Sequence, residues 1–136
     1  MDTLTINQIL TTIPRTRRNY LGCFPADKIP IPQRFPFSMV INEAPATNKG
    51  THWVAVYGQA TEKVYYFDSF AEPPNENINK FLSTFANIIS NRKKMQNIFS
   101  DNCGNFCITF LILMSNGLSF SATIDYLYNI VTFDLS

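Results

Sequence analysis

Two cysteines stand four residues apart in "DNCGNFCITFLIL" (residues 101–113), and the chain has one histidine, His52. Cysteine is a nucleophile only as the thiolate, and imidazole is the side chain best suited to take its proton near neutral pH. Cys103 falls where a loop turns into an apolar run that reads as a helix. The start of a helix offers unpaired N–H groups and the positive end of the dipole, and both favour a thiolate. Gly104, next to it, leaves room for another backbone to approach. Cys107 lies one turn deeper in the apolar run, where a cysteine acts as a small hydrophobe. Cys103 is therefore the candidate nucleophile and Cys107 a packing residue.

His52 follows the turn "NKG" at the start of "THWVAVYG", with Trp53 beside it. A lone histidine is more often a hydrogen-bonded surface or core residue than a base. Asp68 ends "KVYYFD", and taken alone it is an edge residue opening a turn. The two segments are separated by "QATE" and read as an antiparallel hairpin, which brings the start of the first strand to the end of the second. His52 and Asp68 should then be cross-strand neighbours, and a carboxylate there fixes the imidazole tautomer and stabilises the imidazolium. Gln96, seven residues before Cys103, can donate its amide to an oxyanion together with the Cys103 N–H; the alternative is an exposed strand residue. A metal site fits less well. His52, Cys103 and Cys107 give at most three soft ligands, without zinc-knuckle spacing.

The elements that must position these groups follow from periodicity. "TLTINQILTTI" (residues 3–13) has helical spacing, with Thr3 or Thr5 as N-cap and Pro14 as a stop. Residues 19–36 contain Pro25, Pro30, Pro32 and Pro36 and read as a long ordered loop. "FSMVIN" (37–42), "THWVAVYG" (51–58) and "KVYYFDSF" (63–70) read as strands. "NENINKFLSTFANIIS" (75–90) places Ile78, Phe81, Leu82, Phe85, Ile88 and Ile89 on one helical face. "KMQNIFS" (94–100) reads as a short strand. The run from Cys103 is apolar all round, as a helix buried on every side is. "SFSATIDYLYNIV" (119–131) is a last helix, with Ser119 or Ser121 as its cap. The expectation is one α+β domain over residues 1–136, with a small mixed sheet and a central buried helix that begins at Cys103.

The chain has 136 residues, 46% of them hydrophobic, so it can bury a core without covalent staples. Net charge is +1, which gives no whole-molecule argument for nucleic acid or membrane. Basic residues cluster in "RTRR" and "NRKK"; such runs are usually solvated surface, and a polyanion such as DNA is the alternative. No secretory signal is seen at the N-terminus, and the longest apolar run, 106–114, is too short to cross a bilayer. Three cysteines, two of them one turn apart, argue for a reducing, intracellular location.

The chain resembles the adenovirus-type cysteine proteases (adenains) and, more distantly, the SUMO/NEDD8-type deconjugating proteases. The resemblance runs from about residue 19 to 113, through "NYLGCFPADKIP", "FSMVINEAPATNKGTHWVAVY", "VYYFDSFAE" and "QNIFSDNCGNFCITFL". Its most specific part is His-Trp followed by Gln-x6-Cys-Gly. It implies His52 as the catalytic base, Asp68 as its orienting acid, Gln96 as the oxyanion donor and Cys103 as the nucleophile, with Trp53 and Gly104 beside the substrate groove. It implies a papain-like-clan fold of adenain type. The implied activity is a thiol endopeptidase cutting after glycine in precursor polypeptides, such as capsid proteins of a virus or a self-synthesising DNA transposon. Such chemistry needs no cofactor and no metal, and a monomer suffices. Adenain is activated by a disulfide-linked peptide and by DNA; Cys23 lies in the N-terminal loop, not where such a peptide attaches, which leaves activation of that kind open. Two alternatives stand beside this one: a deconjugase for ubiquitin-like modifiers, and an inactive copy that only binds.

Overall fold

The computed structural model describes residues 2–43, 52–95 and 103–135. Among these described residues five strands form one mixed sheet in the order β1-β2-β3-β4-β5. They are β1 (Tyr20–Pro25), β2 (Phe37–Asn42), β3 (Trp53–Ala60), β4 (Lys63–Phe67) and β5 (Ile88–Ser90). The three central strands are antiparallel, and each edge strand is added in parallel. Helices α1 (Thr3–Thr12), α2 (Pro14–Arg17), α3 (Glu76–Leu82), α4 (Cys103–Ser115) and α5 (Phe120–Leu135) complete the fold. No helix among the described residues is long and apolar enough to cross a membrane.

The sheet has a buried core on each face, which is why β2 and β3 read as continuous apolar runs rather than as alternating ones. On one face Val40, Ala55, Tyr57 and Phe67 pack against Phe110 and Leu111 of α4, with Ile6 and Leu10 of α1 and Leu127 of α5 closing the cluster. On the other face Met39, Ile41, Val54, Val56 and Tyr66 pack against Ile78, Phe81 and Leu82 of α3. Phe67 and Phe110 stack at 4.7 Å between ring centroids, 10° from parallel. Such a pair contributes about 0.5–1.5 kcal/mol beyond its buried area, and here it joins the end of β4 to the middle of α4.

Several local expectations are corrected. The N-cap of α1 is Asp2, whose carboxylate accepts from Thr5 N at 2.8 Å, and not Thr3 or Thr5. Pro14 does end α1, but it also opens α2, where its missing N–H costs nothing. The expected loop over 19–36 contains β1, parallel to β2; its only proline, Pro25, stands at the strand end, where no ladder bond is lost. The helix over 75–90 stops at Leu82. Ser83 and Thr84 turn their hydroxyls back onto the Lys80 and Phe81 carbonyls, and Ile88 and Ile89 leave to pair with Val64 and Tyr65. β-branched residues fit a pleated edge better than a helix end. Lys94 and Met95 are not in a strand, and the rest of that expected strand lies outside the described residues. Ser119 is the cap of α5, accepting from Ala122 N at 3.1 Å.

Candidate active site

β3 is central and paired on both sides, and its first residues are held by β2. Asn42 pairs with Trp53, and Glu43 N donates to the His52 carbonyl at 3.0 Å. His52 stands just before the first paired residue of β3, and Asp68 just after the last of β4. The hairpin register pairs Ala55 with Phe67, so the two side chains meet diagonally across the strand ends rather than directly. His52 Nε2 lies 2.7 Å from Asp68 Oδ1.

Asp68 is 1% exposed and His52 19% exposed. The carboxylate is held by more than the ring. Its Oδ1 also accepts from Phe70 N at 2.9 Å, the pattern of an Asx-turn, and its carbonyl accepts from Ala71 N at 2.8 Å. Asp68 does open a turn, as its position suggested, and in the same geometry it holds the imidazole. The Phe70 ring lies 4.7 Å from the His52 ring, centroid to centroid, and limits its tilt.

Cys103 is the first residue of α4 and is 5% exposed. Its sulfur couples to the same imidazole. With Nε2 committed to Asp68, Nδ1 is the ring nitrogen left for the thiol. Nδ1 is buried and, among the described residues, is engaged by no other group. Burial pushes the Cys103 thiol up. Hydrogen bonding to His52, main-chain bonds at Trp53 and Gly104, and the His52 charge outweigh it, leaving the thiol below its ordinary 9.0. Burial likewise depresses the His52 ring, and the Asp68 and Cys103 hydrogen bonds and charges raise it past that, to about 10. Shifts in these directions favour thiolate beside imidazolium, poised for nucleophilic attack.

Cys107, one turn on, is fully buried, and burial pushes its thiol well above the ordinary range. Its Sγ donates to the Trp53 carbonyl at 3.3 Å, which ties α4 to the start of β3. Trp53 packs within the core cluster that includes Cys103 and Cys107. Gly104 is buried in the first turn of α4. Cys23 lies on β1, and none of the three cysteines is in a disulfide. Gln96 lies outside the described residues. Among the described residues no three His, Cys, Asp or Glu side chains converge as metal ligands.

Asn91 is the site residue that the sequence did not reveal. It is buried, follows β5 directly, and faces Asp68. Its Oδ1 accepts from Asp68 N at 3.0 Å, and its Nδ2 donates to the Asp68 carbonyl at 2.7 Å. Only the parallel β4–β5 pairing brings it there, and that pairing is hidden by the apparent helical periodicity of residues 75–90.

No protein-family model matches the chain, and no curated protein does. Among solved structures, the ASFV pS273R protease matches with a TM-score of 0.57 at 13% identity, over 93% of this chain and 65% of that one. Its selenomethionine form matches with a TM-score of 0.50 at 18% identity, over 71% of this chain and 42% of that one. The chain spans less than two thirds of the length of either neighbour. At such identities the likeness is one of fold alone.

Proposed function

We propose that the chain is a thiol endopeptidase of adenain type in which Cys103 is the nucleophile, His52 the base and Asp68 the group that orients His52. The observation that carries this is the shared imidazole. One ring nitrogen is fixed to a buried carboxylate at 2.7 Å, and the ring is coupled to a thiol at a helix start. The likeness to a protease fold supports it.

In this reading the Cys103 thiolate attacks a peptide carbonyl carbon, and the electron pair moves to the oxygen. Imidazolium then gives its proton to the leaving amine as the C–N bond breaks, which leaves a thioester. His52 next takes a proton from water, hydroxide adds to the thioester, and the thiolate departs with the acid product. The Cys103 N–H, at the start of α4, is one donor to the oxyanion, and Gln96 is proposed as the other. Trp53 and Gly104 flank the groove. The proposed substrates are structural precursor polypeptides of a virus or DNA transposon, cut after glycine, as the resemblance to adenains implies. A reducing intracellular compartment keeps the thiol active.

A panel of Gly-Gly-x peptides, incubated with the protein and with Cys103→Ala, tests this reading. Cleavage by the first and not the second is expected. Labelling of Cys103 by a ubiquitin-like vinyl sulfone, with no peptide turnover, would indicate a deconjugase instead. Absence of both reactions under reducing conditions would refute the hydrolase.

A further inference from the structure

Four of the chain's five arginines lie at one place, far from Cys103. Arg15, Arg18 and Arg34 line a cleft of about 700 Å³. Arg17, Arg18 and Arg34 line an adjoining one of about 620 Å³. Arg18, Asn19, Arg34 and Pro36 belong to both, so the two form one basic depression. Ser115, the last residue of α4, is on its wall, while Cys103 is the first. A helix of 13 residues is roughly 20 Å long, so the depression lies at the opposite pole from the candidate active site.

The position is built rather than incidental. Buried Asn19 anchors the arginine-bearing segment. Its Nδ2 donates to the Arg15 carbonyl at 3.3 Å and to Ser115 Oγ at 3.2 Å, its Oδ1 accepts from Ser38 Oγ, and its carbonyl accepts from Ser38 N at 2.9 Å. Arg15 in α2 and Arg18, its C-cap in helical conformation, are three residues apart and hence on one side. Arg34 comes from the segment that leads into β2.

A solvated basic face normally intersperses acids with its bases. Here no Asp or Glu lines either cleft, and among the described residues none pairs with these arginines. The C-terminal end of α4 supplies only about half a negative charge, against three or four guanidiniums. Concentrating like charge without a partner is unfavourable unless an anion offsets it. Guanidinium is the group that meets phosphate with two parallel N–H bonds. Beside the arginines stand the Phe35 ring, 37% exposed, and the Tyr57 side chain. A volume of about 700 Å³ falls within the range of small-ligand sites.

We propose that this depression binds a compact small molecule carrying two or more phosphates, such as a nucleoside polyphosphate. Arg15, Arg18 and Arg34 take the phosphate oxygens, and Phe35 offers a face on which a base can stack. Several phosphates on one small ligand match several guanidiniums on one concave wall; a single carboxylate does not. The site is independent of the protease reading.

Titration calorimetry of the full chain with sodium tripolyphosphate and with ATP tests it. Saturable one-to-one binding is expected for both, weakening as salt is raised. Arg18→Ala or Arg34→Ala should each weaken it by about tenfold or more, as loss of a charged hydrogen bond does. Tighter binding of ATP than of tripolyphosphate, lost in Phe35→Ala, would assign the base to Phe35; equal binding would reduce the site to a polyphosphate site. Folding of each variant is checked by its thermal transition. No binding of either probe overturns the proposal, as does binding that Arg18→Ala and Arg34→Ala leave unchanged. Affinity that rises steadily with oligonucleotide length, with no saturation by ATP, overturns it in favour of a nucleic-acid strip.

Discussion

Asn91 holds the main chain of Asp68 by two hydrogen bonds, one to its N–H at 3.0 Å and one from its own amide to the carbonyl at 2.7 Å. The carboxylate that meets His52 thus sits on a backbone clamped from the neighbouring strand end. Asn91 touches neither the imidazole nor the thiol in this arrangement; it acts through Asp68, as a positioning residue. Asn91→Ala leaves a buried N–H and carbonyl with a partner removed, which costs about 1–3 kcal/mol of stability. It should also lower kcat by more than it changes KM, and narrow the pH range of activity. Asn91→Asp, which keeps the acceptor but not the donor, should recover only part. A loss of stability with an unaltered pH profile would reduce Asn91 to a structural residue.

Cys103 and Cys107 should separate cleanly. Cys103→Ser should abolish peptide turnover while the thermal transition stays near that of the parent. Cys107→Ala removes a sulfur that fills the core and bonds the Trp53 carbonyl, so it should cost roughly 1–2 kcal/mol and leave activity measurable. Mass-mapped alkylation checks the pair: Cys103 should react first, with loss of activity in step. Early labelling of Cys107 or Cys23 with activity intact would remove Cys103 from the role.

The pH profile follows from the two coupled shifts. Cys103 titrates below its ordinary 9.0, so the thiolate is lost as pH falls through that lowered value. His52 is raised to about 10, so imidazolium is lost as pH rises through about 10. The inactivation rate with iodoacetamide should therefore already be high near neutral pH. Peptide turnover should fall on the alkaline side near 10. The sign for stability is the same for His52: its contribution is complete below the ordinary value of 6.5 and fades as pH passes about 10. A single rise through pH 9, typical of an isolated thiol, would show that the ring and the thiol are not coupled.

Much of the site was legible because it rests on local signals. The strand–turn–strand pattern around "QATE" brings His52 near Asp68, and the apolar run after Cys103 can only be a buried helix. What stayed hidden depends on long-range pairing. Tyr20–Pro25 carries too little alternation to look like a strand, and its hydrogen bonds come from β2. Ile88 and Ile89 continue a helical period by accident, and only their pairing with Val64 and Tyr65 shows otherwise. Asn91 was lost with them. The exact strand ends were also beyond the sequence: β3 starts two residues later and β4 ends three residues earlier than the pattern suggested, so His52 and Asp68 meet just outside the ladder.

The order of damage at Asp68 gives the strictest test of the triad. Its Oδ1 accepts from His52 Nε2 and from Phe70 N. An asparagine can present a carbonyl oxygen to both, so Asp68→Asn keeps the ring oriented while giving up the negative charge. That charge is one of the influences holding the imidazole up at about 10. The alkaline limb of activity should therefore move to lower pH in Asp68→Asn, with turnover only moderately reduced, because the thiolate nucleophile is already formed. Asp68→Ala loses the charge and the acceptor together. The ring can then swing, the Phe70 amide loses its partner, and turnover should fall well below that of the asparagine variant. The expected ranking is wild type, then Asn, then Ala, with the alkaline limb displaced in both variants. Kinetics of peptide hydrolysis from about pH 6 to 11, bracketing the His52 transition, read the ranking and the limb together. Equal activity in all three, with one unshifted profile, would leave Asp68 as a turn residue. Orientation of His52 would then fall to the Phe70 ring and the β2–β3 ladder alone.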